Sequence, residues 1–219
     1  MSAAPASASP APSARRSPGP ARLLLKPVVF LLCLLPIGLL AWNGFTGNLS
    51  ANPIDDITDT TGTWTLRFVM ITLAVTPLRK LSGWNILGRT RRMIGLFTFF
   101  YAALHFTTYA WLDQFFDIGT ILLDITKRPF ILAGFTAFVL FIPLAVTSTG
   151  GWVRRLGGRR WQLLHRLVYI SAIAGVVHYL WLVKADIQRP LIYGLILLAL
   201  LAYRVFDYFV RRRSRTHAG

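Results

Sequence analysis

Three of the four histidines in this 219-residue chain lie inside long apolar stretches. His105 lies in one stretch, and His165 and His178 share another that runs from Trp161 to Val183. A neutral imidazole is a common ligand of metal ions and of haem iron. An ionisable side chain surrounded by hydrocarbon is costly, and such residues usually mark a functional site. The fourth histidine, His217, lies in a basic tail and is expected to be solvated.

The apolar stretches are long enough to cross a membrane. The chain is 54% hydrophobic, and its apolar segments approach the roughly 17–25 residues that a helix needs to span the hydrocarbon core. Only helices and closed barrels satisfy their backbone in lipid, and these segments are continuous rather than alternating. The sequence therefore predicts an all-α polytopic membrane protein, a six-transmembrane-helix bundle. The six segments span about 23–42, 62–78, 93–112, 129–147, 161–183 and 190–210.

One membrane domain, residues 23–210, accounts for most of the chain. Residues 1–22 are rich in Ala, Pro and Ser, which predicts a disordered cytoplasmic tail, and residues 211–219 form a basic cytoplasmic tail. The sequence has no Gly-rich phosphate loop and no nucleotide fingerprint that would indicate a soluble catalytic domain. The single cysteine, Cys33, excludes an internal disulfide and an iron–sulfur cluster held by cysteines.

The net charge of +16 is distributed by loop. Basic residues cluster in both tails and in the loops after segments two and four, whereas the other loops carry seven of the eight acids. The positive-inside rule explains this alternation and places both termini in the cytoplasm. A nucleic-acid partner is therefore not expected. The seven acids are Asp55, Asp56, Asp59, Asp113, Asp117, Asp124 and Asp186.

His105 and His178 are predicted to lie at similar depths. Segment three starts near Met93, which puts His105 about 18 Å along its helix at about 1.5 Å per residue. Segment five starts near Trp161, which puts His178 about 25 Å along. Two neutral imidazoles in the outer half of the bundle suit one haem iron, and bis-histidine ligation favours electron transfer over oxygen binding. The alternative for each histidine is an interhelical hydrogen bond, for example to Ser or Thr.

His165 lies near the inner end of segment five, about 6 Å from its start. On an ideal helix it points about 140° away from His178, so one haem is expected rather than two. Arg91 and Arg92 lie at the inner end of segment three, and with His165 they could line a site for a flavin phosphate or a quinone. The alternative is that these arginines only set the topology. Topology is the favoured explanation for Arg79 and Lys80, two further cations at this end.

Several stretches match one known family, in order along residues 23–209. They are Asn52-Pro53-Ile54, Thr61-Gly62, Arg89 to Leu96, Leu104 to Thr107 with Tyr109, Arg128-Pro129-Phe130, Thr147-Ser148-Thr149, Trp161 to His165, His178 to Trp181 with Lys184, and Pro190 to Tyr193. With these residues the chain resembles the MsrQ family, the haem-binding membrane subunits of protein-methionine-sulfoxide reductases. That family belongs to the ferric-reductase-like transmembrane group, with the NADPH oxidases and the STEAP reductases.

The resemblance implies an electron-transfer subunit of the bacterial inner membrane, with no substrate chemistry of its own. Such a subunit takes electrons from the quinone pool and passes them through haem b to MsrP, a periplasmic molybdenum reductase that repairs methionine sulfoxide. The two proteins form a heterodimer. FMN is described as a further cofactor of the family, and a cytoplasmic flavin reductase is a further candidate partner.

The resemblance also carries residue roles onto this chain. The haem ligands fall on His105 and His178. His165 matches the family's third histidine, which is associated with the quinone or flavin end. NADPH oxidases place two histidines on each of two helices, whereas segment three has only His105, and this difference argues against a second haem.

Two other functions remain open from the sequence. One is a transmembrane ferric reductase, or another cytochrome b, with a different acceptor. The other is a non-redox six-helix transporter or assembly subunit whose histidines pack or relay protons. The acidic loops around Asp55–Asp59 and Asp113–Asp124 are a hypothetical docking surface for a partner. The alternative is that topology simply keeps these loops free of Lys and Arg.

Overall fold

The computed structural model describes residues 20–183 and 185–216 of the chain. Outside these residues lie most of the N-terminal tail, Lys184 and His217. The predictions of a disordered N-terminal tail and of a solvated His217 therefore fall outside the described residues. Within the described ranges the chain forms eight α-helices and no β-strand, which confirms the all-α class. The helices are α1 (Pro20–Phe45), α2 (Pro53–Ser82), α3 (Arg91–Thr107), α4 (Ile118–Lys127), α5 (Pro129–Val146), α6 (Gly150–Leu164), α7 (Leu167–Leu182) and α8 (Gln188–Thr216).

Not every predicted segment qualifies as a membrane span by length and hydropathy. Four helical segments among the described residues are long and apolar enough to span a membrane. They are α1, α5, α8, and α3 together with the π-helical turn that follows α3 (Thr108–Asp113). Helices α6 and α7 together form a fifth candidate. Helix α2 does not reach the same hydropathy, because it carries acids in its first turns and Arg67 in its middle. Its stretch Leu66–Val75 nevertheless contains much of the buried core.

The fifth predicted segment is not one straight helix. Helix α6 ends at Leu164 and α7 begins at Leu167, so His165 and Arg166 form a turn between them. The two helices are bent by 40° at this break. The expectation of one continuous helix over 161–183 was therefore wrong, because His165 precedes α7.

Helices α4 and α6 occupy regions that the sequence analysis treated mainly as loops. Helix α4 begins after Asp117, whose carboxylate accepts hydrogen bonds from the amide and the hydroxyl of Thr120, at 3.1 and 2.9 Å. These bonds hold the pKa of Asp117 below its usual value. Helix α6 begins after Thr149, whose hydroxyl accepts from the amide of Trp152. Both helices thus start with a capping residue of the favoured type.

A four-helix core positions the candidate site. Helix α2 packs closely against α3, and α5 packs closely against α7. Contacts between α3 and α5, and between α2 and α7, join these two pairs. The buried residues Val69, Leu73, Phe141 and Ala172 form the apolar core where the pairs meet. Helix α1 packs on α2 and α3, and α8 packs on α2 and α7.

Tyr101 ties α1 to this core. Its side chain is fully buried, and its hydroxyl donates to the carbonyl oxygen of Cys33 (2.9 Å) and accepts from the amide of Ile37 (3.1 Å). Residues four apart normally bond to each other in an α-helix. The hydroxyl is therefore inserted into the hydrogen-bond ladder of α1, which connects this helix to α3 by two polar contacts.

Replacing Tyr101 with Phe is expected to destabilise the protein by about 1–3 kcal/mol, because both hydrogen bonds between the hydroxyl and the backbone of α1 are lost. Thermal unfolding in detergent would measure the effect. Tyr208→Phe is the matched control, since Tyr208 is an exposed tyrosine on α8. Equal unfolding temperatures for the two variants would contradict the structural role of the Tyr101 hydroxyl.

Candidate functional site

A cavity of about 370 Å³ lies between the two helix pairs. Helices α2, α3, α5 and α7 all contribute to its wall, and both His105 and His178 line it. Polar side chains line it near the first turns of α2 and α5, including Asp59, Tyr109 and Arg128. The rest of the wall is mostly apolar, with Leu66, Val69, Ala102, Ala137, Phe138 and Phe141 among its residues. The cavity therefore suits a largely apolar ligand that has a polar edge.

The structure brings His105 of α3 and His178 of α7 together across this cavity. Their ring centroids are 6.1 Å apart, and the ring planes make an angle of 76°. A metal ion midway between two imidazoles, about 2 Å from one nitrogen of each ring, requires the ring centres to be about 6 Å apart. The spacing thus fits a single ion held by both side chains.

The hydrogen bonds of the two rings determine which nitrogen is available. The Nδ1–H of His105 donates to the carbonyl oxygen of Thr58 (3.0 Å), and the Nδ1–H of His178 donates to that of Phe130 (2.7 Å). A carbonyl oxygen only accepts, so Nδ1 must carry the proton in both rings. Nε2 of each neutral imidazole then has a free lone pair for a metal ion, which is the usual arrangement of a ligating histidine.

These bonds change the choice between a ligand and a packing histidine. From the sequence alone, haem ligation and an interhelical hydrogen bond were alternative roles for each histidine. Both histidines do make an interhelical bond, but to a backbone carbonyl and through Nδ1. That bond leaves Nε2 for ligation, so the two roles are compatible. Neither Thr58 nor Phe130 was predicted as a site residue, because a backbone carbonyl gives no signal in the residue type.

Two imidazoles alone do not make a complete metal site. No group of three or more His, Cys, Asp or Glu side chains suited to a metal ion occurs among the described residues. A porphyrin supplies four nitrogens in its own plane and needs the protein only for axial ligands. The residues present therefore fit haem iron with two axial histidines.

His165 lies at a different place and has different partners. Its Nε2 is 3.1 Å from the hydroxyl oxygen of Thr147, and its ring stacks on Trp161 at 3.9 Å between centroids. The indole N–H of Trp161 donates to the carbonyl of Thr147 (2.9 Å), which closes the group. The structure thus places His165 at the junction of α5, α6 and α7, away from the pair in the cavity.

Arginines surround this inner group. Arg91 and Arg92, in the first turn of α3, both interact electrostatically with His165. Arg204 of α8 interacts in the same way with Arg91, and the sequence analysis did not include it. Its guanidinium donates to the carbonyl of Leu73 (2.7 Å) and lies 5.1 Å from the ring centre of Tyr169. Arg91 and Arg92 of α3 therefore act on His165 directly, and Arg204 of α8 acts on Arg91.

Lys80 has a structural partner instead. Its ammonium group forms an ion pair with Asp207 of α8, and Asp207 also pairs with Arg211. Asp207 is the eighth acid of the sequence, and it lies beside the basic C-terminal tail rather than in an acidic loop. This pairing agrees with the favoured view that Lys80 has no ligand-binding role.

Comparisons with known proteins identify the family of this chain. Residues 61–176 match the family described as ferric reductase like transmembrane component. A heme-binding subunit MsrQ of protein-methionine-sulfoxide reductase from Herminiimonas arsenicoxydans is 55% identical over 204 residues, covering 92% of this chain and 93% of the relative. This chain belongs to the MsrQ family. MsrQ proteins from Azospira oryzae and Rhodospirillum rubrum are 54% and 53% identical, over 84% and 85% of this chain and 79% and 89% of each relative.

Membership of the MsrQ family and the apolar helices together identify a multi-pass membrane protein. The family match includes His105 and His165 and ends two residues before His178. The alignment with the MsrQ of Herminiimonas arsenicoxydans extends well beyond that match. His105 thus lies inside the family match. His178 lies two residues beyond its end, in the part of the chain that the longer alignment also covers.

The hydrogen bonds predict one tautomer for both cavity histidines. We expect His105 and His178 to be neutral with the proton on Nδ1 in the haem-free protein, because each Nδ1 faces a carbonyl. Nitrogen-15 spectra of histidine-labelled protein would measure this, with His105→Ala and His178→Ala to assign the signals. Protonation of Nε2 in either ring would contradict the geometry.

Proposed function

We propose that this chain binds one haem b between His105 and His178 and is the membrane electron-transfer subunit of a protein-methionine-sulfoxide reductase. The observation that carries the proposal is the facing pair of imidazoles, 6.1 Å apart, each with Nδ1 bonded to a helix carbonyl. The relatives that share more than half of the aligned residues are described as heme-binding subunits. Haem held in this cavity would supply a one-electron redox centre within the membrane.

The residues around the pair have distinct tasks in this proposal. The Nδ1 bonds orient both rings and increase the basicity of Nε2. Apolar side chains such as Phe138 and Phe141 exclude water and provide a surface for a porphyrin. At the polar end, the hydroxyl of Tyr109 donates to Asp124 and Arg128 pairs with the same carboxylate, so these three side chains form one group at the cavity edge. Two neutral nitrogen ligands leave no position for oxygen, which suits electron transfer.

The inner group is the proposed site of electron entry. His165, Arg91 and Arg92 bring an imidazole and two guanidinium groups to one end of the core. Such donors suit the carbonyl oxygens of a quinone or the phosphate of FMN. We propose the quinone pool as the electron donor and FMN as a second cofactor. A cytoplasmic flavin reductase is a further candidate donor.

The opposite end is the proposed site of electron exit. Asp55, Asp56 and Asp59 lie in the first turns of α2, and Asp113 and Asp117 lie between α3 and α4. These acids lie at the end of the helical core that is nearer to the cavity. Asp59 and Asp113 form part of the cavity wall. We propose that this surface docks MsrP, a periplasmic molybdenum-dependent reductase that repairs oxidised envelope proteins, as a heterodimer.

The proposed topology has six spans in the bacterial inner membrane. Helix α2 is the sixth span, because its middle is buried against α3 although its ends are polar. The basic C-terminus of α2, the start of α3, α6 and the end of α8 then face the cytoplasm with both termini. The chain has no substrate chemistry of its own in this arrangement.

A second candidate function is that of a transmembrane ferric reductase. It is favoured by the family description that matches residues 61–176. Haem spectra would be the same in both cases, so the acceptor must decide. Haem reduced by a quinol should be reoxidised by purified MsrP faster than by a ferric chelate if the first proposal is correct. The opposite order would support a ferric reductase.

Replacing either axial histidine is expected to abolish haem binding. His105→Ala and His178→Ala each remove one of two ligands, so haem per chain should fall from about one to near zero. His165→Ala should keep most of the haem, because His165 lies outside the cavity. The measurement is the haem-to-protein ratio, with reduced-minus-oxidised spectra, on monodisperse protein.

Two outcomes would overturn this assignment. Absence of haem bands from the unsubstituted protein, after expression with sufficient haem, would exclude the electron-transfer function. Equal haem loss for His165→Ala and His178→Ala would show that the ligand set is wrong.

Removing the arginines near His165 is expected to slow electron entry without loss of haem. Arg91→Gln and Arg92→Gln each remove a charged hydrogen-bond donor, which should raise the KM for a quinol about 10-fold or more. Haem reduction by a quinol, followed in a stopped-flow instrument, would measure this. Arg154→Gln is the control, because Arg154 is an exposed arginine on α6. Equal effects at Arg91 and Arg154 would indicate that these arginines only set the topology.

A further inference from the structure

Both cavity histidines lie directly against a glycine of the neighbouring helix. A Cβ atom at Gly62 of α2 would lie 2.9 Å from Cε1 and 3.0 Å from Nδ1 of His105. A Cβ atom at Gly134 of α5 would lie 2.7 Å from Nδ1 and 3.0 Å from Cγ of His178. Contacts this short are not tolerated in a packed interior, so any side chain at either position would displace the ring.

The two glycines have the same relation to the hydrogen bonds of the histidines. Gly62 follows Thr58 by four residues, and Gly134 follows Phe130 by four residues. Thr58 and Phe130 supply the carbonyl oxygens that accept from Nδ1 of the two rings. The same arrangement therefore occurs twice, once in each helix pair.

Helix geometry explains why the residue four positions after the carbonyl must be small. Residues i and i+4 lie on the same face of a helix, and every Cα–Cβ bond is tilted toward the N-terminus. A side chain at i+4 therefore covers the surface beside the carbonyl of residue i. With glycine at i+4, a hydrogen-bond donor from a neighbouring helix can reach the carbonyl of residue i. Glycine is otherwise unfavourable within a helix, so its presence at both positions calls for such a reason.

We propose that Gly62 and Gly134 are positioning residues for the two axial histidines. Each glycine exposes one helix carbonyl to an imidazole Nδ1–H, and so fixes the tautomer that directs Nε2 into the cavity. The inference rests on the proposed function, since it concerns how that function's haem ligands are held. Both glycines also line the cavity, so the coupling test in haem-free protein below is the one that isolates the contact of each glycine with its histidine.

The first test replaces each glycine with alanine. Gly62→Ala and Gly134→Ala should lower haem affinity about 10–100-fold, the usual effect of losing the group that orients a ligating histidine. The remaining haem should lose part of its six-coordinate low-spin absorption and paramagnetic resonance signals. A haem titration of the full-length haem-free chain measures the affinity, and the spectra measure ligation.

Two other helical glycines provide matched controls. A Cβ atom at Gly95 of α3 would meet its nearest atom, in Thr72, at 3.7 Å, and one at Gly38 of α1 would meet nothing within 4 Å. Gly95→Ala and Gly38→Ala should therefore keep the haem affinity and the low-spin spectrum. Equal affinity and unchanged spectra in all four glycine variants would overturn the proposal.

A second test separates a specific contact from a general loss of stability. In haem-free full-length protein, Gly62→Ala should lower the unfolding temperature when His105 is present and have no such effect in His105→Ala. In the His178→Ala background, Gly62→Ala should lower the unfolding temperature as much as in the unsubstituted protein, because the His178 ring contacts Gly134 and not Gly62. The reciprocal cycle applies to Gly134 with His178. Equal coupling for matched and exchanged pairs would overturn the proposal.

These tests also distinguish failure of the inference from failure of the proposed function. Haem loss in both histidine variants with normal haem binding in both glycine variants would retain the function and reject the positioning role. Unsubstituted protein that binds no haem would reject both. Haem loss in the glycine variants, together with coupling confined to matched pairs, would support both.

Discussion

The two imidazoles that face each other in the core each have one ring nitrogen bonded to the backbone of a neighbouring helix, as ligating histidines usually do. The Nδ1 groups of His105 and His178 bond to the carbonyls of Thr58 and Phe130. Each bond crosses from one helix to its neighbour, so the orientation of the rings depends on the close packing of α2 with α3 and of α5 with α7. In the proposed haem site, the packing of the helices would therefore determine the orientation of both ligands.

Electrostatics separates the two ends of the core. One end contains His165 with Arg91 and Arg92, and Arg204 interacts with Arg91. Asp207 of α8 is paired with Lys80 and Arg211. The other end carries aspartates around the first turns of α2 and α4. Topology rules require such an asymmetry in any polytopic protein. Here the cations lie at the end for which we propose electron entry, and the aspartates lie at the opposite end.

The sequence predicted the helical class, and it predicted that His105 and His178 lie close together, as their ring spacing of 6.1 Å shows. The inner position of His165 stays a prediction. The sequence did not predict the turn at His165, since apolar composition continues through it. It did not predict α4 as a helix, because that stretch is too short for a span. Gly62 and Gly134 could not be recognised either, since their role depends on the approach of another helix. Arg204 was missed because the aliphatic run around it hides one isolated cation.

The repeated unit of histidine, carbonyl and glycine shows how the site is divided along the chain. Helices α2 and α3 complete one half of it, and α5 and α7 complete the other, before the two pairs meet. Each helix pair thus orients one imidazole by its own contacts. A cofactor bound to both halves would then join them as a cross-link does, so that assembly of the bundle and capture of the cofactor become a single event.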